Sequence, residues 1–145
     1  MAHTVSFEGS ILLLLRYHDT IDMASFLSGA GDTLALASRS ACTRVLVDCR
    51  GAAVRLSTMD IYDLPTLLAD LAQRQGLEIS AFKRALLVDG SFSDFAFAEN
   101  VAVNRGQQVR VFMDEALARG WLQDDADVGS ARPACRGLVD PGVVS

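Results

Sequence analysis

Two short runs, "RVLVDC" at 44–49 and "ALLVDG" at 85–90, constrain the fold of this chain more than any other feature. Both are largely apolar and too short for a helix, as strands in the middle of a sheet are, and both carry an aspartate one residue before their end. What lies between them is helical. "LSTMDIYDLPTLLADLAQRQG" places Leu56 and Ile61 as a hydrophobic staple around a Ser57 cap, with Asp60 at the third helical position and Gly76 as the stop. Pro65 is expected to interrupt this helix or to sit in the first turn of a second one. "SFSDFAFAENVAVNRG" repeats the logic, with Ser93 as cap, Phe92 and Phe97 as staple, and Gly106 as terminator. Strand, helix, strand, helix is the pattern of a sheet with parallel strands.

The two ends complete the pattern. "HTVSFEGSILLLLRYHD" reads as an alternating strand, a turn and a more thoroughly buried strand, an antiparallel hairpin. A helix follows from Thr20 as cap, with Met23, Phe26, Leu27, Ala30 and Leu34 at helical spacing, and a break is expected near Gly29 and Gly31. "QVRVFM" is a last strand, Asp114 caps a short helix begun by Glu115, and Leu117 and Trp121 are expected to share one face as a closing clasp. Beyond Leu122 periodicity stops and Pro, Gly and Asp accumulate. The expectation is an α/β fold, a mixed sheet of about five strands (antiparallel hairpin, then parallel strands) with about four helices. Residues 1–122 form the single domain and 123–145 a mobile tail.

Composition excludes several function classes. The formal net charge is −5 and Lys83 is the single lysine, so the clustered basic surface that nucleic-acid binding needs is missing. The longest apolar run, "ILLLL" at 11–15, falls far short of the roughly 20 residues that cross a bilayer. The amino terminus lacks the features of a secretory signal, and a cytoplasmic location is expected. Cys42, Cys49 and Cys135 form no C-x-x-C pair, so reduced thiols are expected. Phosphate-loop, nucleophile-elbow and H-E-x-x-H motifs are absent, and His3 and His18 are too few for a histidine metal site. No catalytic residue, metal or cofactor is expected.

Three groups of residues are candidates for function. Asp48 and Asp89 stand at strand carboxyl ends, where α/β sheets bind ligands, although strand-end turns use aspartate equally. A phosphoacceptor built on them would also need a lysine after the last strand, and "VRVFMDE" has none. Ser57 and Thr58, with Asp60, lie at a helix start, where free backbone N–H groups would stabilise an added phosphate; plain capping is the simpler role. Phe26, Phe92 and Phe95 are candidate contacts for an apolar ligand, with core packing as the alternative.

"VLVDCRGAAVRLSTMDIYDLPTLL", "ALLVDGSF", "FAENVAVNRGQQVRVF" and "DEALARGWL" resemble successive blocks of the STAS-like, SpoIIAA-like family, related to bacterial anti-sigma factor antagonists. The resemblance spans nearly all of residues 4–122 and is most specific at the carboxyl-terminal end. It implies a mixed sheet backed by helices, a non-catalytic regulatory or ligand-binding role, and kinship of fold with lipid carriers of the CRAL-TRIO type. The antagonists carry a D-S-x-G-like segment with a phosphorylated serine; here it reads "LSTM", and Ser57 alone matches. Gly120 stands where the family tends to have alanine. The expected function is a non-catalytic cytoplasmic module that binds a protein partner, with a homodimer as one option. The alternative is a carrier or sensor of an apolar, lipid-like small molecule.

Overall fold

Alternation at the amino terminus builds an edge hairpin. In the computed structural model, which describes residues 3–8, 12–89 and 92–123, β1 (His3–Glu8) pairs antiparallel with β2 (Leu12–Tyr17), Val5 opposite Leu15 and Phe7 opposite Leu13. A short β3 (Thr20–Ile21) leads into α1 (Met23–Ser40) and β4 (Arg44–Asp48). Then come β5 (Ala53–Val54), α2 (Thr58–Arg74), β6 (Lys83–Leu87), α3 (Phe92–Asn104), β7 (Gln108–Phe112) and α4 (Glu115–Leu122). The main sheet runs β1-β2-β4-β6-β7, parallel after its first pair, and β3 pairs with β5 in a two-stranded sheet. This is the mixed α/β architecture the sequence implies.

The central strands are apolar on both sides because both faces are covered. Leu13, Leu15, Val45, Val47, Leu86, Val88, Val109 and Val111 belong to the large core with residues of α1, α2 and α3. Leu12, Leu14, Leu46, Ala85 and Leu87 point the other way, onto Ala118 and Leu122 of α4.

Helix α1 departs from expectation twice. Its cap is Asp22, in a reciprocal box with Ser25, because Thr20 is already committed to β3. The helix also runs unbroken through Gly29 and Gly31. Gly29 has a packing reason: a Cβ there would stand 2.5 Å from Tyr17 Oη, so glycine lets α1 settle onto β2. Helix α2 likewise passes through Pro65 instead of being interrupted. Proline removes one N–H and crowds the carbonyl four residues back; here its ring is buried, and its own carbonyl accepts from Gln107 Nε2 at 3.0 Å. Gly76 and Gly106, with φ of +75° and +82°, end α2 and α3 as expected.

Three further expectations are corrected. Helix α3 already includes Phe92 and Ser93, so Ser93 is not its cap; Phe97 is 37% exposed, and the expected staple lies outside the described residues because it needs the Phe92 side chain. Asp114 does cap α4, accepting from Ala116 N and Leu117 N at 2.8 and 3.2 Å. Leu117, however, is 64% exposed, and Ala118 and Leu122 make the inward face. Trp121 lies at the border of that face, half-buried, with Phe112 at 5.8 Å between ring centroids and Lys83 Nζ 4.6 Å from the ring. Cys49 is free and buried, but Cys42 is disulfide-bonded, which corrects the expectation of reduced thiols. The expected tail, from 124 onward, lies outside the described residues.

Candidate functional site

The first turn of α2 carries the hydroxyl candidates. Ser57 Oγ accepts from Asp60 N at 3.0 Å while Asp60 Oδ2 accepts from Ser57 N at 2.9 Å, a closed capping box. Leu56, half-buried, and Ile61, buried, flank it and line one small void together, so the staple pins this end of the helix to the core. Ser57 and Thr58 are exposed, and so are two apolar neighbours, Met59 at 63% and Tyr62 at 49%. Tyr62 is held from outside by the Arg105 guanidinium, 4.9 Å from its ring centroid; Arg105 also donates to Thr66 Oγ1. The structure therefore brings Ser57, Thr58 and Asp60 together and adds Met59, Tyr62 and Arg105. Their sequence signal was an apolar pair three residues apart, off the face that Ile61, Leu64 and Leu68 bury.

The two strand-end aspartates serve other ends. Asp48 is buried and accepts from Arg16 Nε at 3.1 Å and from Arg50 Nε and Nη2, both at 3.0 Å. Burial pushes its carboxyl up, but the hydrogen bonds and charge of Arg50, helped by Arg16, outweigh that and hold it below the usual range. Arg50 reaches on to Glu115 at 3.1 Å, and Arg119 holds Glu115 from the other side at 2.8 Å. The chain of charges ties α4 to the carboxyl end of β4. Asp89 is exposed and accepts from Gly51 N at 3.2 Å, a turn role. Among the described residues no three histidine, cysteine or carboxylate groups converge on a possible metal.

The aromatic candidates separate. Phe26 is half-buried, stacks on Tyr17 at 5.7 Å, and lines three small voids between the sheet and α1, α2 and α3. Phe95 is buried and lines one of them. The side chain of Phe92 lies outside what the structure describes. Arg84 lines two of the voids and was not singled out by the sequence.

Neither a family model nor a curated protein sequence matches the chain. Solved structures do. The anti-sigma factor antagonist SpoIIAA in its unphosphorylated form is similar with a TM-score of 0.51 and 13% identity, covering 84% of this chain and 98% of that one. An uncharacterised protein of the DUF3478 family with a SpoIIAA-like fold, from Shewanella loihica PV-4, is similar with a TM-score of 0.52 and 17% identity, covering 83% and 92%. The fold is STAS-like, of the SpoIIAA type.

Proposed function

We propose that the chain is a non-catalytic STAS-like regulatory module that acts in the cytoplasm by binding a protein partner through the first turn of α2. The observation that carries this reading is the exposure of Met59 and Tyr62 beside Ser57 and Thr58. A tyrosine and a methionine held at the surface, rimmed by hydroxyls, Asp60 and Arg105, have the composition of an interface centre with a polar rim. One similar structure is that of an anti-sigma factor antagonist, a protein that by that name acts on another protein. No helix among the described residues is long and apolar enough to cross a membrane.

Ser57 and Thr58 are the phosphoacceptor candidates of this surface. A phosphate on Ser57 would meet the Asp60 carboxylate, which is now bonded to Ser57 N at 2.9 Å. Modification would exchange the capping box for phosphate contacts to the free N–H groups of the first turn and add negative charge to the surface seen by a partner. A thiol count on protein taken from its native host tests the cytoplasmic setting, where thiols are kept reduced.

Pull-downs from the native host, with wild type, Ser57→Asp and a Met59→Asp/Tyr62→Asp double variant, test the proposal. A specific partner, a second copy of the chain included, should be lost with the double variant while the circular dichroism spectrum is unchanged. An identical set of captured proteins for all three would overturn it. The alternative, a carrier of an apolar small molecule, draws on the voids that Phe26 lines.

A further inference from the structure

Arg84 of β6 stands opposite Val45 of β4 and Val109 of β7, and its side chain enters the apolar layer beneath the helices, against Phe26, Leu68 and Leu86. A guanidinium placed there loses hydration, and burial lowers its pKa to about 10, which still leaves it charged at neutral pH. Such a charge is ordinarily matched by an acid. Asp48, the buried acid among the described residues, has Arg16 and Arg50; Arg84 has no carboxylate within ion-pair distance among them. One terminal nitrogen donates to Gln107 Oε1, whose amide donates on to Pro65 O at 3.0 Å. The Nε is sealed from solvent and has no hydrogen-bond partner among the described residues.

The space around this cation is apolar and subdivided. Three voids, each of about 40 Å³, adjoin one another, and Phe26 and Leu86 line all of them. Each exceeds the roughly 10–15 Å³ that admits a water, but water needs several polar partners and the walls offer few. What suits the site is a ligand with one anionic end and an aliphatic remainder. Phe26, which lines all three and is only half-buried, is the side chain whose movement would let one ligand span them. Three such voids suit a single short chain, not a two-chain lipid.

We infer that Arg84 is the headgroup site for a small aliphatic monocarboxylic acid, whose tail occupies the voids that Phe26 and Leu86 line. A guanidinium pairs a carboxylate through two parallel N–H donors, and Nε supplies the unused one. This site is separate from the α2 surface and does not depend on the partner-binding reading.

The test uses the full chain, with sodium hexanoate as probe and 1-hexanol as its uncharged counterpart, both titrated by calorimetry. Hexanoate should bind at least about ten-fold more tightly than hexanol, the worth of one charge-assisted contact. Arg84→Met, which keeps a long apolar side chain, should remove that preference, and Met59→Asp/Tyr62→Asp should leave it intact. No saturable hexanoate binding, equal affinity for the two probes in wild type, or a preference that survives Arg84→Met would overturn the inference. Should Arg84→Met not fold, the wild-type Arg84 Nε–H resonance still decides: it should shift with saturating hexanoate, and a resonance that stays put while hexanoate saturates would refute the assignment.

Discussion

Replacing Gly29 by alanine should destabilise the protein, although local rules say the reverse. Alanine in place of a mid-helix glycine stabilises by roughly 0.5–1 kcal/mol on propensity alone. The structure opposes this, because the new Cβ would lie 2.5 Å from Tyr17 Oη and 2.9 Å from its Cε1 and Cζ, well inside van der Waals contact. Tyr17 has little room to yield: it is 1% exposed, donates to Phe26 O at 2.8 Å and stacks on the Phe26 ring. Either the hydroxyl gives up its bond, at about 1 kcal/mol, or α1 lifts from β2, at the roughly 1–3 kcal/mol of overpacking. Set against the propensity gain, the net expectation is a loss of about 1 kcal/mol in urea denaturation. Gly31, where an added methyl would meet nothing within 4 Å, is the control, and Gly31→Ala should gain up to about 1 kcal/mol. Tyr17→Phe should recover part of the loss in a double-mutant cycle. Gly29→Ala as stable as wild type, or stabilised like Gly31→Ala, would refute the packing argument.

Other perturbations give equally definite expectations. Ser57→Ala should cost about 1 kcal/mol and Ser57→Asp almost nothing, since both serine and aspartate cap well; a cost for Asp equal to that for Ala in denaturant melts would remove the capping role. Trp121→Ala should cost less than the roughly 3–5 kcal/mol of a fully buried aromatic, because the ring is half-buried. The Cys49 thiol is pushed up to about 12 by burial, with the charges of Asp48 and Asp89 adding to it. Its folded pKa is above the unfolded one, so its contribution is complete below the unfolded value and is lost as pH rises toward 12. Cys49→Ala should flatten part of the alkaline limb of a stability-versus-pH curve, and an unaltered limb would contradict this. Asp48 has the opposite sign: its depressed folded pKa makes its contribution disappear as pH falls, and Asp48→Asn should blunt acid unfolding. Truncation after Leu122, in reductant, should leave the melting temperature nearly unchanged; unfolding would show that the tail is packed.

The features written in local chemistry were readable. Ser57, Asp60, Asp114, Gly76 and Gly106 act through their own side chain or φ, and each takes its expected role. Features decided by distant neighbours were not. Gly29 looked like a helix breaker until Tyr17 came to lie against it, and Pro65 looked like an interruption until it packed inside a continuous α2. Leu117 and Ala118 compete for one inward position, and the sheet surface around Ala85 takes the smaller residue, against a hydrophobicity ranking. The same limit applies to the site. The capping box at Ser57 is a sequence pattern, whereas the outward direction of Met59 and Tyr62 depends on which face of α2 the core claims. Arg84 precedes the apolar "ALL" of β6 and reads as an ordinary strand-end charge; its setting emerges once Phe26 and Leu68 close over it.

The central claim, that the first turn of α2 is a protein-binding surface, is tested most directly by photo-crosslinking in the native host. A photoreactive phenylalanine analogue placed at Met59 is compared with the same group at Leu117, an equally exposed apolar position on α4. The account predicts a discrete adduct with one protein from position 59, abolished by Tyr62→Asp, and none of that mass from position 117. No adduct at 59, or the same adducts from both positions, would contradict it.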